Sequence, residues 1–507
     1  MRSKRALYNI ISSLSFEIVT LICGLITPRL ILSTFGSDYN GVTSSITQFL
    51  SMISILRMGV AGATRVELYK TLAANDNEGT SGIVRATELY MRKISGIFLV
   101  YALALGVIYP YISHNDVSVG GNFALVLIIG IGTFTQYCFG MAYSCLLDAD
   151  QRGYIYSLFR IVATILNTVI AYFLIKLGSS IYVVKLGSSI CFAAVPIFLS
   201  IYVKVKYKIK RNVEPNKKAL QQKNTVMMHS VANIVHSKTD IFVLTLFSEA
   251  RNISVYNVYN SVIGNLRLIM RSFTNGLEAA FGSMWVRGEK EKLIDCFSAY
   301  EFLMHSFVSV VFSCVLVLII PFVMLYTKGV TDVNYNRLSF AIALTVSEGL
   351  YCIREPYVTL VQATGKYKET RNAAIYEAAI NVVLSVILVN AWGITGVVIG
   401  TIVANLYRTI SYGNYISKNI ITFRFSEVLK RICWTTANVV LIVILVGKIL
   451  PVQSIDTWTK WVLNGFLCFS VGCAFTVISG LVFYRKDLLK AIQFTKRMFS
   501  RGRKIQA

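Results

Sequence analysis

Apolar residues in this 507-residue chain are grouped into fourteen long segments separated by short polar turns. A helix that crosses a membrane needs about 20 predominantly apolar residues, which is the length that these segments reach. They run over 8–34, 40–70, 84–111, 121–147, 154–176, 181–203, 225–247, 252–285, 292–326, 337–363, 368–390, 393–417, 431–450 and 458–484. The pattern predicts an all-α polytopic membrane protein with about 14 transmembrane helices.

The composition agrees with a membrane protein. The chain is 55% hydrophobic and 15% charged, with a mean hydropathy of +0.60, a balance typical of polytopic proteins. Because the first segment carries Glu17 and Arg29 and lacks an A-x-A-like cleavage site, we interpret it as a spanning helix and not as a removed signal peptide. The ten cysteines follow no C-x-x-C or zinc-site spacing, so we interpret them as core residues.

The charge distribution predicts the orientation in the membrane. Fifty Lys and Arg against 25 Asp and Glu give a net charge of +25, and cytoplasmic loops of membrane proteins collect Lys and Arg, so no nucleic-acid partner is needed to explain it. Alternate turns are basic, among them "RGEKEK", "TGKYKETR" and "FRFSEVLKR", whereas "FGSDYN", "SHNDVSVG" and "VQSIDTW" are not. We therefore expect an even number of spans with both termini in the cytoplasm.

A basic linker at 204–224, with eight Lys and Arg and one acid, divides the first twelve segments into two sets of six. Transporters are often built from such repeated halves. An offset of 214 residues superposes Ala149 on Ala363, Asn167 on Asn381, Arg57 on Arg271 and Gly62 on Gly276. The predicted organisation is an N-terminal lobe at 1–203, the linker, a C-terminal lobe at 225–420, two further helices within 421–484 and a basic tail at 485–507. The tail fits either an amphipathic interfacial helix or an ordinary basic terminus.

Several charged residues lie inside the apolar segments. An intramembrane arginine costs roughly 2.5–3.5 kcal/mol on insertion scales, so such residues face a protein interior or a wet cavity and mark function by default. In the second segment Arg57 and Arg65 lie about 80° apart around a helix and about 12 Å apart along it. In the eighth, Arg267, Arg271 and Glu278 share one face. The two helices predict a basic interior.

The ligand expected at such a site is anionic, because guanidinium groups donate paired hydrogen bonds to phosphate in a fixed geometry. Arg29 and Lys238 could add to the site. The alternative is that the cations pair with acids and only fix the packing; Arg29 and Arg65 could also extend toward the membrane surface. The acids available for pairing are Glu17, Glu67, Asp240, Glu278, Glu348, Glu355 and Glu377. Asp240 and Glu17 could instead bind a coupling cation or titrate a proton.

Enzymatic signatures are missing from the sequence. There is no G-x-x-x-x-G-K-[ST] loop, and the four histidines form no H-E-x-x-H or similar cluster. We therefore expect no catalytic residue, cofactor or metal, and an energy source that is a gradient, an asymmetry of the substrate or a partner. An enzyme is disfavoured by this pattern.

Three stretches resemble the Wzx-type O-antigen and capsule flippases, which belong to the superfamily of multidrug exporters and the lipid II flippase. They are "GVTSSITQFLSMISILRMGVAGATRVELYKTLAANDNE", "KTDIFVLTLFSEARNISVYNVYNSV" and "REPYVTLVQATGKYKETRNAAIYEAAINVVLSVILVNAWGITGVVIGT". The resemblance implies two six-helix lobes that form a V around a cationic cavity, with two extra C-terminal helices. It also implies a location in the bacterial cytoplasmic membrane.

The activity implied by the resemblance is transfer of an undecaprenyl-pyrophosphate-linked oligosaccharide of the capsule, O-antigen or teichoic-acid type to the outer leaflet. Arg57, Arg267 and Arg271 are the positions that would receive the pyrophosphate or acidic sugars. Membrane lipids and polysaccharide polymerase or assembly proteins are the implied partners. Two alternatives stay open: a cation-coupled multidrug exporter, which would favour an acidic cavity, and a membrane glycosyltransferase or polymerase, which would need larger external loops.

Overall fold

The computed structural model describes residues 2–210, 212–216, 238–421, 425–449 and 455–494. Throughout these ranges the regular secondary structure is helical, and no β-strand is present. Nine helices of the described chain are long and apolar enough to cross a membrane. The prediction of an all-α, multi-pass membrane protein is confirmed.

The helices are numbered here in chain order. They are α1 (Arg2–Met52), α2 (Ile55–Ala73), α3 (Asn77–Ile112), α4 (Val119–Thr135), α5 (Met141–Ala149), α6 (Gly153–Lys176), α7 (Ile181–Tyr207), α8 (238–247), α9 (Ala250–Ile263), α10 (Leu266–Val286), α11 (Lys290–Tyr326), α12 (Leu338–Ala363), α13 (Tyr367–Asn419), α14 (Phe425–Ile449), α15 (Trp458–Phe483) and α16 (485–494). A π-helical turn, Gln136–Gly140, joins α4 to α5.

Two glycines divide the longest helices into arms. The backbone leaves the helical region at Gly36 in α1 (φ 84°, ψ 177°) and at Gly393 in α13 (φ 56°, ψ −135°), where a residue without Cβ adopts a positive φ at little cost. When these arms are counted separately, the described helices are consistent with fourteen spans. The second predicted segment is not one helix, because the chain turns at residues 53–54 between α1 and α2.

The helices repeat along the chain. α6 begins at Gly153 and α13 at Tyr367, which are 214 residues apart. Turn residues with positive φ recur 213 to 215 residues apart, in the pairs Asn75 and Gly288, Gln151 and Gly365, and Gly178 and Gly393. The element boundaries therefore support the internal repeat that the sequence predicts.

The chain forms two compact units. The first comprises Met1–Asn257 with Gly329–Val333, and the second comprises Val258–Lys328 with Asn334–Ala507. Helix α8 and the start of α9 belong to the first unit because they pack on α1: Asn40 Nδ2 donates to Ser254 Oγ at 2.7 Å, and the Ser45 and Thr245 hydroxyls lie 2.7 Å apart. The lobes predicted on either side of 204–224 stay a prediction.

Gly41 allows the closest approach in this packing. A Cβ added at Gly41 would lie 1.8 Å from the carbonyl oxygen of Ala250, which is backbone and cannot rotate away. Small residues permit such close helix packing within membranes. By contrast, nothing lies within 4 Å of the same position on Gly24, in the other arm of α1.

We predict that Gly41→Ala lowers the thermal unfolding temperature of the detergent-solubilised protein by several degrees, because α1 and α9 must separate to admit the methyl group. Gly24→Ala is the matched control and should be neutral or stabilising, since alanine favours helix over glycine by up to about 1 kcal/mol. Equal unfolding temperatures for the two variants would show that the close contact contributes nothing.

Candidate functional site

Arg57 is a partly buried cation in the first unit. It is the third residue of α2, and its N–H donates to Ser54 O across the break at 3.1 Å. Its Nη1 lies 3.9 Å from Met141 Sδ. Among the described residues, no carboxylate oxygen lies within 4.0 Å of the Arg57 guanidinium. The side-chain contact of Arg57 shown here is therefore with a sulfur atom and not with a carboxylate.

The backbone beside Arg57 is irregular. Met141 directly follows the π-helical turn Gln136–Gly140, and the Gln136 amide donates to the Tyr156 hydroxyl at 3.3 Å. Such π-turns occur often at functional sites, because the extra residue redirects side chains. An arginine without a carboxylate partner beside a π-turn is the best candidate for ligand contact in the first unit.

Arg267 occupies the corresponding place in the second unit. It is the second residue of α10, and its N–H donates to Gly264 O at 3.2 Å across a similar break. Because α2 and α10 begin 211 residues apart, the helix starts place Arg57 opposite Leu268, next to Arg267. The offset of 214 instead places Arg57 opposite Arg271. Arg271 lies on α10, but its side chain is outside the described part of the chain.

Unlike Arg57, Arg267 is paired with an acid. Its Nε donates to Glu348 Oε2 at 2.9 Å, and its Nη2 contacts the other carboxylate oxygen. The guanidinium carbon also lies 4.1 Å from the centre of the Tyr351 ring, in the geometry of a cation–π contact. The Arg267 side chain is 22% exposed, so the pair lies at the edge of the packed interior.

A second ionic group lies deeper in the same unit. Glu377 is 1% exposed and contacts Arg354 through one carboxylate oxygen and Arg408 through the other. Arg354 Nη1 also donates to Asn405 Oδ1 at 2.9 Å, and Arg408 Nη2 to the Tyr412 hydroxyl at 3.2 Å. One carboxylate thus holds two buried guanidinium groups, which joins α12 to both arms of α13.

Tyr351 connects the two ionic groups. Its ring centre lies 4.5 Å from the Arg354 guanidinium carbon, while Arg267 approaches the same ring as described above. We call the set Arg267, Glu348, Tyr351, Arg354, Glu377 and Arg408 the arginine network. Glu348 and Glu377 were among the acids expected to pair. Arg354 and Arg408 were not among the predicted site residues, although each lies in an apolar segment, as Arg57 does.

Another buried arginine was also missed. Arg431 of α14 pairs with Glu301 of α11 at 2.6 Å and with Asp487 of α16 at 2.7 Å. The Tyr357 hydroxyl donates to the other oxygen of Glu301. This cluster contains none of the predicted site residues. It joins the C-terminal helices α14 and α16 to α11 within the second unit.

The remaining predicted site residues lie in the first unit. Arg65 is 3.9 Å from Asp148, and both side chains are more than 40% exposed. Lys238 Nζ donates to Gln48 Oε1 at 2.7 Å, and Asp240 accepts from the Tyr256 hydroxyl at 3.0 Å. On α1, Arg29 is partly buried and Glu17 is exposed.

Solved structures identify the fold. The chain is similar to the lipid II flippase MurJ in its inward closed conformation, with a TM-score of 0.71 at 15% identity, covering 95% of this chain and 100% of that one. It is also similar to a multidrug resistance MATE family transporter of the MOP superfamily in an inward-facing conformation, with a TM-score of 0.66 at 17% identity, covering 80% of this chain and 98% of that one. For an outward-facing MATE structure the TM-score is 0.60 at 15% identity, covering 85% of this chain and 97% of that one. This chain has the MurJ and MATE fold.

At these identities the MurJ and MATE similarity establishes the fold alone. No protein-family model and no curated protein sequence matches this chain. The residue roles within the MurJ and MATE fold must therefore be argued from the contacts of this chain itself.

We predict that Glu377→Gln strongly destabilises the protein, because it leaves Arg354 and Arg408 buried without their shared counter-charge. Removal of one member of a buried ion pair costs about 3–5 kcal/mol. Glu369→Gln, near the start of the same helix in an exposed pair with Lys366, is the control and should leave the unfolding temperature nearly unchanged, because exposed ion pairs contribute little to stability. Thermal unfolding in detergent measures both, and a Glu377→Gln protein as stable as the control would mean that the arginine network is not structural.

Proposed function

We propose that this protein is a flippase that moves an undecaprenyl-pyrophosphate-linked oligosaccharide, of the capsule, O-antigen or teichoic-acid type, from the cytoplasmic to the outer leaflet by alternating access. The proposal places the protein in the bacterial cytoplasmic membrane with both termini in the cytoplasm. Arg57 is the residue on which the proposal chiefly rests.

Arg57 supports an anionic ligand because its charge has no carboxylate partner among the described residues. A guanidinium group in a weakly polar environment gains more from a phosphate than from water, since paired charge-assisted hydrogen bonds strengthen as the dielectric constant falls. The ligand that would best complement this position is a pyrophosphate or an acidic sugar. The proposed position of that group is beside Arg57, near Met141 and the π-helical turn.

Arg267 is the second proposed contact with the ligand. It would exchange its ion pair with Glu348 for one with the anionic head group. Its side chain is 22% exposed, whereas those of Arg354 and Arg408 are 4% and 8% exposed. An anionic head group could therefore compete with Glu348 for Arg267 without disturbing the deeper Glu377 group. The proposed roles of Arg271, Arg65, Arg29 and Lys238 are secondary, and Asp240 and Glu17 are the proposed positions for ion coupling.

The paired acids count against the alternative of a multidrug exporter for cationic drugs. Glu301, Glu348 and Glu377 are buried in the second unit, and each already contacts an arginine. A cationic drug would have to displace a built-in guanidinium group before it could bind one of them. A lipid-linked anion meets no such competition at Arg57.

The extent of the structural similarity also supports a lipid-linked substrate. The solved structure named as a lipid II flippase corresponds to 95% of this chain, whereas the two MATE structures correspond to 80% and 85%. The two C-terminal helices α14 and α15 pack on α11 around Ile442, Val446 and Cys468. We propose that they accompany a substrate with a long polyprenyl tail.

We predict that Arg57→Ala reduces flipping of a labelled undecaprenyl-pyrophosphate oligosaccharide in proteoliposomes by about 10-fold or more. A charge-assisted hydrogen bond contributes about 1.5–3 kcal/mol, and 1.4 kcal/mol corresponds to a factor of ten. Arg57→Lys should retain part of the activity, because it keeps the charge but loses the fork geometry. Arg92→Ala, at an exposed arginine of α3, should be unaffected.

Two results would contradict the proposal. Flipping that continues unchanged in Arg57→Ala would remove the proposed head-group contact. Protein-dependent export of a cationic dye such as ethidium, with no flipping of any lipid-linked glycan tested, would favour the multidrug exporter instead.

A further inference from the structure

Helix α16 has two faces with different partners. Asp487, Leu488 and Ala491 are spaced so that they share one side of the helix, and they are partly or fully buried. Arg485, Leu489 and Ile492 share the opposite side and are exposed. A basic tail that did not pack on the protein would leave all of its faces exposed. Because one face of α16 is buried, this helix is part of the packed second unit.

The inner face is held by ion pairs and by aromatic packing. Asp487 lies 2.7 Å from Arg431 of α14, and Lys490 lies 2.7 Å from Asp295 of α11. Ala491 and Leu488 pack against the cluster that contains Phe302 and Trp434. Because Arg431 and Asp295 each lie within the first two turns of their helices, α16 bridges the ends of α14 and α11.

The outer face combines cations with exposed aliphatic side chains. Arg485 and Lys486 are exposed, and beside them Leu489 and Ile492 are 48% and 43% exposed. Helices that lie in a membrane interface have this composition, since the aliphatic groups enter the acyl boundary while the cations meet anionic head groups. A helix facing only water would gain nothing from these two aliphatic residues.

The position of α16 in the chain matches this composition. It follows α15, whose apolar run ends at Val482 and Phe483, both strongly exposed, with only Tyr484 between the two helices. An exposed apolar surface on a membrane-crossing helix is covered by lipid. The outer face of α16 thus continues from a lipid-covered surface into the basic residues at the end of that span.

We propose that the outer face of α16, formed by Arg485, Lys486, Leu489 and Ile492, is a binding surface for anionic phospholipid head groups. The helix is already held by Arg431 and by packing on Phe302 and Trp434, so little conformational entropy is lost when lipid binds. Occupancy would hold α16 on α11 and α14 and stabilise the Glu301–Arg431 pair that lies beneath it. This proposal does not depend on which substrate is transported, so it can be tested independently of the proposed function.

Photo-cross-linking of the full-length protein in nanodiscs tests this surface directly. A photoreactive phenylalanine analogue replaces Leu489, and the nanodisc contains equal amounts of alkyne-tagged phosphatidylglycerol and phosphatidylcholine. The same analogue at Phe466, a 75% exposed residue of the α15 span, provides the reference for unselective lipid contact. We expect cross-links at Leu489 to favour phosphatidylglycerol about fivefold over those at Phe466.

Charge variants show whether the cations of α16 cause this preference. Arg485→Gln with Lys486→Gln should abolish it, whereas Arg92→Gln with Lys93→Gln, an adjacent exposed pair on α3, should leave it intact. Equal labelling of the two lipids at Leu489, or a preference that survives the α16 substitutions, would overturn the proposal. Cross-links to protein in place of lipid would overturn it as well and indicate a protein partner.

Discussion

The pairing of buried guanidinium groups with buried carboxylates is the constraint on which the second unit depends. Among the described residues there, four arginines pair with four acids: Arg267, Arg354, Arg408 and Arg431 with Glu301, Glu348, Glu377 and Asp487. Four positive and four negative charges sum to zero. An uncompensated ion in a low-dielectric interior costs several kcal/mol, so these pairs determine which helices can pack together. They join α10, α12 and both arms of α13 in one group, and α11, α14 and α16 in another.

The first unit differs from the second at the equivalent position. Arg57 and Arg267 both follow a break between two helices, yet Arg267 contacts Glu348, while Arg57 lies near Met141 and has no carboxylate neighbour in the described chain. Among the described residues, a carboxylate therefore lies beside the arginine of the second unit but not beside that of the first. Under the proposed function, Arg57 contacts the anionic ligand directly, whereas Arg267 must first leave Glu348. The pairing of the other arginines with acids explains why basic residues inside the apolar segments need not destabilise the fold.

Much of the fold could be predicted from the sequence, because hydrophobic segments and polar turns are local signals. The predicted spans at 154–176 and 181–203 agree closely with α6 and α7, and the repeat offset of 214 recurs in the helix starts. The turn at residues 53–54 was missed because no glycine or proline marks it. The partners of Glu377 could not be predicted, since Arg354 and Arg408 reach it only after α13 folds back at Gly393 and packs on α12. The spacing of residues within one helix does not show which residues of other helices will lie beside them.

The claim that Arg57 binds the ligand but does not stabilise the fold is tested most directly by thermal unfolding of Arg57→Ala with and without undecaprenyl pyrophosphate. A ligand that binds only the folded state raises the unfolding temperature in proportion to its occupancy. We predict that the variant unfolds within about 2 °C of the unsubstituted protein in the absence of ligand, because Arg57 forms no ion pair with any described residue, but loses the ligand-dependent rise. A variant that unfolds much earlier and still shows the full rise would contradict this account, because Arg57 would then be a structural residue.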